Sequence, residues 1–143
     1  MRIFMLCLSL VLFGQSVQAQ EVIATLKTVS GHVWVIRDDD RISATPGMKL
    51  LEADLLGTDA DSSAGVSFMD GSRVSLGPES TMEINSFRFA PKNEDYAFDV
   101  YFGKGTAVYS SGRIGKLAPE AVQFSTPQAV LGVRGTTFLV RVQ

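Results

Sequence analysis

One cysteine, one histidine and one tryptophan occur in the 143 residues. The cysteine is Cys7, so the chain downstream of it can form no disulfide and no thiolate metal site. A lone histidine, His32, cannot build a histidine-rich metal site, and no serine or cysteine nucleophile motif accompanies it. It reads as a surface or half-buried strand residue. Positive charge is also short: 13 Lys and Arg stand against 15 Asp and Glu. No basic patch of the kind that neutralises phosphates is present, which removes nucleic acid as a partner. Long amphipathic helices are missing, and with them a helix lying on a membrane surface. Gly103-Lys104-Gly105 is too short for a phosphate-binding loop. No cofactor is expected.

The N-terminus reads as a cleavable leader over residues 1–19. Arg2 supplies a positive start. Ile3 to Phe13 is apolar with Ser9 as its one polar residue, and is shorter than the roughly 20 apolar residues a bilayer span needs. Val17-Gln18-Ala19 places small residues at −3 and −1 for cleavage before Gln20. Cys7 follows Leu6 in mid-run, which does not suit lipidation; an uncleaved anchor is the alternative. Removing the first 19 of the 143 residues leaves 124, one domain over 20–143. Without disulfides, that domain rests on its core alone. Periplasmic or secreted location follows, with no stable membrane insertion after cleavage.

What is present is the period of a β-strand. Tyr96, Phe98, Val100 and Phe102 alternate with Ala97, Asp99 and Tyr101, the clearest strand in the chain. Val66 and Phe68 share a face, as do Val74 and Leu76. Asp70-Gly71 between them predicts a two-residue hairpin turn. Ile23 to Ile36, broken at Ser30-Gly31, predicts two short strands or one with a bulge. Asp38-Asp39-Asp40-Arg41 and Pro46-Gly47 read as turns, and Pro91 to Asp95 as the most polar loop. Lys49 to Gly57 reads as a strand-like crossing with Leu50, Leu51, Leu55 and Leu56 partly buried. Gly103-Lys104-Gly105 is expected to turn the chain into a further strand, Thr106 to Tyr109, and Ser110 to Pro119 to be a loop. About ten short strands with turns every 8 to 12 residues make an all-β single domain, either sandwich- or barrel-like or a short-strand solenoid.

The closing stretch, Thr126 to Val142, carries the most unusual chemistry. Thr126-Pro127 is extended, because proline disfavours a helical residue before it. Ala129 to Val133 is apolar and interrupted by Gly132; Arg134 and Gly135 follow, then alternation from Thr136 to Arg141. A cation in so apolar a run must find acceptors or bear a large desolvation cost. Arg134 is therefore expected to be a buried tie at a corner between two core strands. Truncation to alanine would then cost about 2 kcal/mol. An anion-binding role is the alternative.

These residues resemble a known family. Asp70-Gly71-Ser72-Arg73-Val74 with Leu76 resembles the central motif of FecR domains. Gly31-His32-Val33-Trp34-Val35 resembles their opening strand, and Gly57-Thr58 with Ser63-Ala64 their first core. Thr126-Pro127, Val130 and Gly132-Val133-Arg134-Gly135-Thr136 with Phe138 resemble their closing signature. The likeness covers roughly residues 22 to 142. It implies a periplasmic, non-enzymatic module with no catalytic residues to transfer. In the iron-transport regulators that name the family, this domain follows a cytoplasmic anti-sigma segment and a membrane helix. Its outer part takes part in signalling from an outer-membrane receptor. This chain resembles instead a free-standing exported FecR domain. Asp70, Gly71, Thr126, Pro127, Gly132, Arg134 and Gly135 are its expected structural motif.

Other readings carry less. Asp59, Asp61, Ser63, Ser67 and Asp70 fall at calcium-loop spacings, but Ala64 stands where the tight turn wants glycine and the last position is not glutamate. Asp38-Asp39-Asp40 is a solvated turn that could attract a cation weakly. Nothing singles out a carboxylate pair for glycoside hydrolysis. The expected partner is an envelope protein, met through a sheet edge or an aromatic face such as Tyr96, Tyr101 and Phe87. A carbohydrate or cell-wall ligand is the alternative.

Overall fold

The computed structural model describes residues 14, 16, 20–134 and 137–143. The expected leader, apart from Gly14 and Ser16, and Gly135 with Thr136 of the closing stretch, lie outside the described residues.

The alternation from Tyr96 to Phe102 lies within the longest strand. Phe98, Val100 and Phe102 are buried, as the period of two requires. Twelve strands form among the described residues. They are β1 (Ala24–Ser30), β2 (Val33–Arg37), β3 (Asp40–Ser43), β4 (Lys49–Leu50), β5 (Leu55–Thr58) and β6 (Ser63–Phe68). There follow β7 (Arg73–Leu76), β8 (Thr81–Ala90), β9 (Asp95–Ser110), β10 (Val122–Ser125), β11 (Val130–Gly132) and β12 (Thr137–Val142). A five-residue helix, α1 (Arg113–Leu117), sits between β9 and β10.

The domain is all-β and single, and β9 organises it. β7 and β8 lie end to end along one side, facing Ser110–Ala107 and Lys104–Asp95. On the other side β12 runs antiparallel to Gly105–Ser110, and β10 runs parallel to Phe98–Tyr101. The path β3-β2-β5-β8-β9-β7-β6-β1-β4 therefore crosses β9 at two levels. Strands that switch sheets make the corner of such a packing. The sheet curls until its halves face each other: Phe68 of β6 packs on Phe87 of β8 and Phe98 of β9, at 5.5 and 4.8 Å between ring centroids. This curled half-barrel is the sandwich- or barrel-like reading of the sequence rather than the solenoid. Tyr109, Phe124 and Phe138 extend the aromatic core, each pair within 5.3 Å. Leu50 and Leu56 are fully buried, with Leu51 and Leu55 half-buried beside them.

Three local expectations differ. Gly103-Lys104-Gly105 does not turn the chain; β9 runs through it for sixteen residues. Gly105 has φ +94, and a Cβ there would lie 2.6 Å from the Ser80 Cα and 2.7 Å from the Glu79 carbonyl oxygen. Glycine is required where two backbones touch at the corner. Asp70-Gly71 does sit in a β6–β7 hairpin, but not as a two-residue turn. Phe68 N donates to Ser72 O and Gly71 N to Phe68 O, and only Gly71 (φ +86) is left-handed. A two-residue turn occurs instead at Asp38-Asp39, both left-handed (φ 50 and 67), between the paired Arg37 and Asp40, within the turn expected there. Finally, the Ser110–Pro119 loop contains α1, whose cap comes from a distant part of the chain.

Candidate functional site

The polar interior is a set of structural ties. Asp70 is buried, and no ion pair reaches it among the described residues. Its carboxylate accepts from Ser72 N (3.0 Å), Ser72 Oγ (2.7 Å) and Ile114 N (3.1 Å), and its carbonyl accepts from Arg113 N (2.9 Å). Ser72 Oγ in turn accepts from Gly112 N at 3.0 Å. Asp70 thus holds the hairpin and the first turn of α1 together. Three hydrogen bonds satisfy the buried carboxylate. Beside it the Tyr109 hydroxyl is buried with no partner at hydrogen-bonding geometry. Burial pushes its pKa up; nearby Ser72 and Ser111 oppose this more weakly.

At the corner, Thr58 Oγ1 donates to Gly77 O (2.6 Å) and accepts from Ser80 N (2.9 Å). The fully buried Ser80 Oγ accepts from Thr106 N at 3.0 Å and lies 3.1 Å from the Thr106 and Pro78 carbonyls. At the opposite rim, Asp54 is 1% exposed and takes two hydrogen bonds from Arg37. That hydrogen bond, more than the bare charge, raises the Arg37 pKa.

Two of the surface clefts among the described residues involve residues singled out from sequence. On the first, Trp34 lies across Gly57 of the neighbouring strand, where a Cβ would collide with the indole. Its Nε1 donates to Asp59 Oδ1 at 3.0 Å, and the Arg41 guanidinium sits 4.5 Å from the ring centroid. A shallow cleft of about 320 Å³ opens beside it, lined by Asp59, Glu79, Thr81 and Lys104 among others. The second is an open cleft of about 640 Å³ between α1 and β11, lined by Gly115, Pro119, Glu120, Val122, Gly132, Val133 and Arg134. Val130 (66% exposed), Leu139 (59%) and Leu117 (54%) are the exposed apolar residues at this end.

The expected motif residues do not converge. Asp70 and Gly71 shape the β6–β7 hairpin. Thr126 and Pro127 open the β10–β11 turn, where Thr126 N donates to Ala129 O at 2.7 Å. Gly132 ends β11, and Gly135 lies outside the described residues. Arg134 is exposed on the rim of the larger cleft, not a buried tie. The reason is that β11 is an edge strand, so the run around it is only partly covered. The suggested aromatic face does not form either. Phe87 is buried, and Tyr101 points away from the buried Val100 and Phe102, whereas Tyr96 shares their side of β9. His32 is exposed, and its backbone N donates to Ser62 Oγ. Asp59 and Asp70, spaced like calcium ligands, serve Trp34 and α1 respectively. The Arg37–Asp54 and Thr58–Ser80 pairs were not singled out from sequence. An arginine ending the apolar run Val33 to Ile36 was the one available signal.

A profile of the family described as FecR protein matches residues 54–143. The chain belongs to the FecR family. The match leaves out β1 to β4, a shorter span than the sequence likeness implied. Yet β1 pairs with β6 and β2 with β5, so the FecR segment and the strands before it share one sheet. FecR proteins take part in signalling at the bacterial envelope together with partner proteins. No curated protein and no solved structure matches the chain significantly. Among the described residues no helix is long and apolar enough to cross a membrane.

Proposed function

We propose that this FecR domain is an exported, non-enzymatic module that acts by binding an envelope protein. Residues 1–19 are its cleaved leader, and the mature domain works in the periplasm or outside the cell. The observation that carries this reading is how the buried polar groups are used. Asp54, Thr58, Ser62, Asp70, Ser72 and Ser80 all spend their hydrogen bonds inside the fold. The chemistry of this chain is devoted to holding a shape, and the family context is signalling between proteins. Asp70, Gly71, Thr126, Pro127 and Gly132 contribute by shaping hairpins rather than by touching a ligand.

A carbohydrate or cell-wall ligand is less well supported. The one tryptophan would be the natural sugar platform. Its ring has Gly57 against one face, and Arg41 over the ring plane, so stacking would need Arg41 to leave.

Mass spectrometry of periplasmic material should find the chain beginning at Gln20; intact Met1 would support an uncleaved anchor. The purified protein should then be incubated separately with peptidoglycan and with envelope proteins cross-linked in the living cell. A specific protein adduct supports the proposal. Retention by polysaccharide alone would overturn it.

A further inference from the structure

The edge strands of the sheet are not alike. β3 carries Asp40 and Arg41, β4 carries Lys49 and β12 carries Arg141, whereas β11 (Val130-Leu131-Gly132) has no charged residue. Charges on edges are a common device against unwanted strand addition. β11 lacks it. Its register shows what is left open. Thr126 N donates to Ala129 O, and the next pairs are Ser125 with Val130, Phe124 with Leu131 and Gln123 with Gly132. Hydrogen-bonded and non-hydrogen-bonded pairs alternate in an antiparallel ladder. The amides and carbonyls of Val130 and Gly132 therefore face away from β10, and among the described residues no strand pairs with that side.

The C-terminal segment that carries β11 is reversed in charge from the rest of the sequence. Residues 113–143 hold four cations (Arg113, Lys116, Arg134 and Arg141) and one acid, Glu120; residues 20–112 hold eight cations and fourteen acids. Exposed Arg134 follows β11 directly and lines the 640 Å³ cleft, as does Glu120; exposed Lys116 is the neighbour on α1 of the lining residue Gly115. A smaller space lined by Leu131, Val133 and Phe138 lies on the β12 side.

From these observations we propose that β11 receives an extended, acidic peptide strand of a partner protein. The main chain of the peptide pairs with Val130 and Gly132, its apolar side chains cover Val130 and enter the clefts, and its carboxylates meet Arg134 and Lys116. The proposal rests on the protein-binding reading above and specifies its surface.

Gly132 makes a clean test. A Cβ there would meet nothing within 4 Å and its φ is not left-handed. Gly132→Pro removes one outward donor and leaves the bonds to β10 in place, and Gly132→Ala keeps the donor. The probe is a displayed library of random short peptides selected on the purified protein. Enriched peptides should alternate apolar residues and carry Asp or Glu. Gly132→Pro should weaken them about tenfold or more, with Gly132→Ala unchanged and a denaturation midpoint equal to that of Gly132→Ala. Arg134→Glu, which leaves the strand intact, should weaken them similarly, and high salt should weaken the wild type. No enrichment, or equal binding by Gly132→Pro and Arg134→Glu, would overturn the proposal. So would sedimentation showing self-association that Gly132→Pro abolishes, which would put a second copy on the edge. An envelope protein cross-linked equally well to Gly132→Pro would remove β11 and leave the protein-binding reading standing.

Discussion

The Arg37 guanidinium grips both oxygens of the Asp54 carboxylate, at 2.9 and 2.7 Å, and the two partners are unequally exposed: 27% for the arginine side chain and 1% for the aspartate. Asp54 Oδ2 also accepts from Leu51 N at 2.8 Å. The inequality sets the order of two substitutions. Arg37→Met strands a buried carboxylate and should cost about 3 kcal/mol. Asp54→Asn leaves an arginine that can still reach water and should cost less, about 1 to 2 kcal/mol. Urea midpoints in the reverse order would refute this account of the pair.

The corner should respond as one unit. Thr58→Val removes the hydroxyl that serves Gly77 O and Ser80 N, and Ser80→Ala leaves the part-buried Thr106 amide unpaired. Each should cost about 2 kcal/mol. Because Thr58 and Ser80 share the same turn, the double variant should cost clearly less than the sum. Strict additivity in a double-mutant cycle would show that the two hydroxyls act separately.

Gly57→Ala should dislodge the one indole. The added methyl and the Trp34 ring cannot occupy the same space, so the ring must swing off the strand and lose its bond to Asp59. Tryptophan emission should shift to the red, with a stability loss of about 1 to 3 kcal/mol. Unchanged emission would mean that the indole does not lie on Gly57 in solution.

Tyr109 gives an alkaline signature. Its folded-state pKa is raised by burial above the ordinary value of 10.0. The neutral phenol therefore contributes its full stability below the unfolded pKa. That contribution is lost as pH rises through the ordinary value towards the folded one. Tyr109→Phe should remove this part of the alkaline loss. At neutral pH it should be neutral or slightly stabilising, because the buried hydroxyl has no well-placed partner. A large neutral-pH destabilisation would instead indicate a hydrogen bond to Ser72 or Ser111.

Arg134→Ala should leave the denaturation midpoint within about 0.5 kcal/mol of wild type, as for an exposed side chain away from any buried network. A loss near 2 kcal/mol would restore the buried tie suggested by the sequence.

What the residues determined alone was local and periodic. Alternation in Val66–Phe68, Val74–Leu76 and Tyr96–Phe102 specified strands and which face is buried, because side chains in a strand alternate regardless of their neighbours. Pro46-Gly47 specified its turn, with Met48 N donating to Thr45 O at 3.1 Å. The order of short motifs specified the family. Tertiary structure decided everything that depends on which strand lies beside which. Gly105 looked like a turn because glycine signals freedom; only the approach of Ser80 shows that it signals closeness. Arg134 looked buried because its neighbours in sequence are apolar; only the edge position of β11 shows that they are half covered. Asp70 looked like half of a turn, and its main bonds go to Ile114 and, through Ser72, to Gly112, some forty residues on. Burial and hydrogen-bond partners over such separations are properties of the folded sheet, and no local pattern carries them.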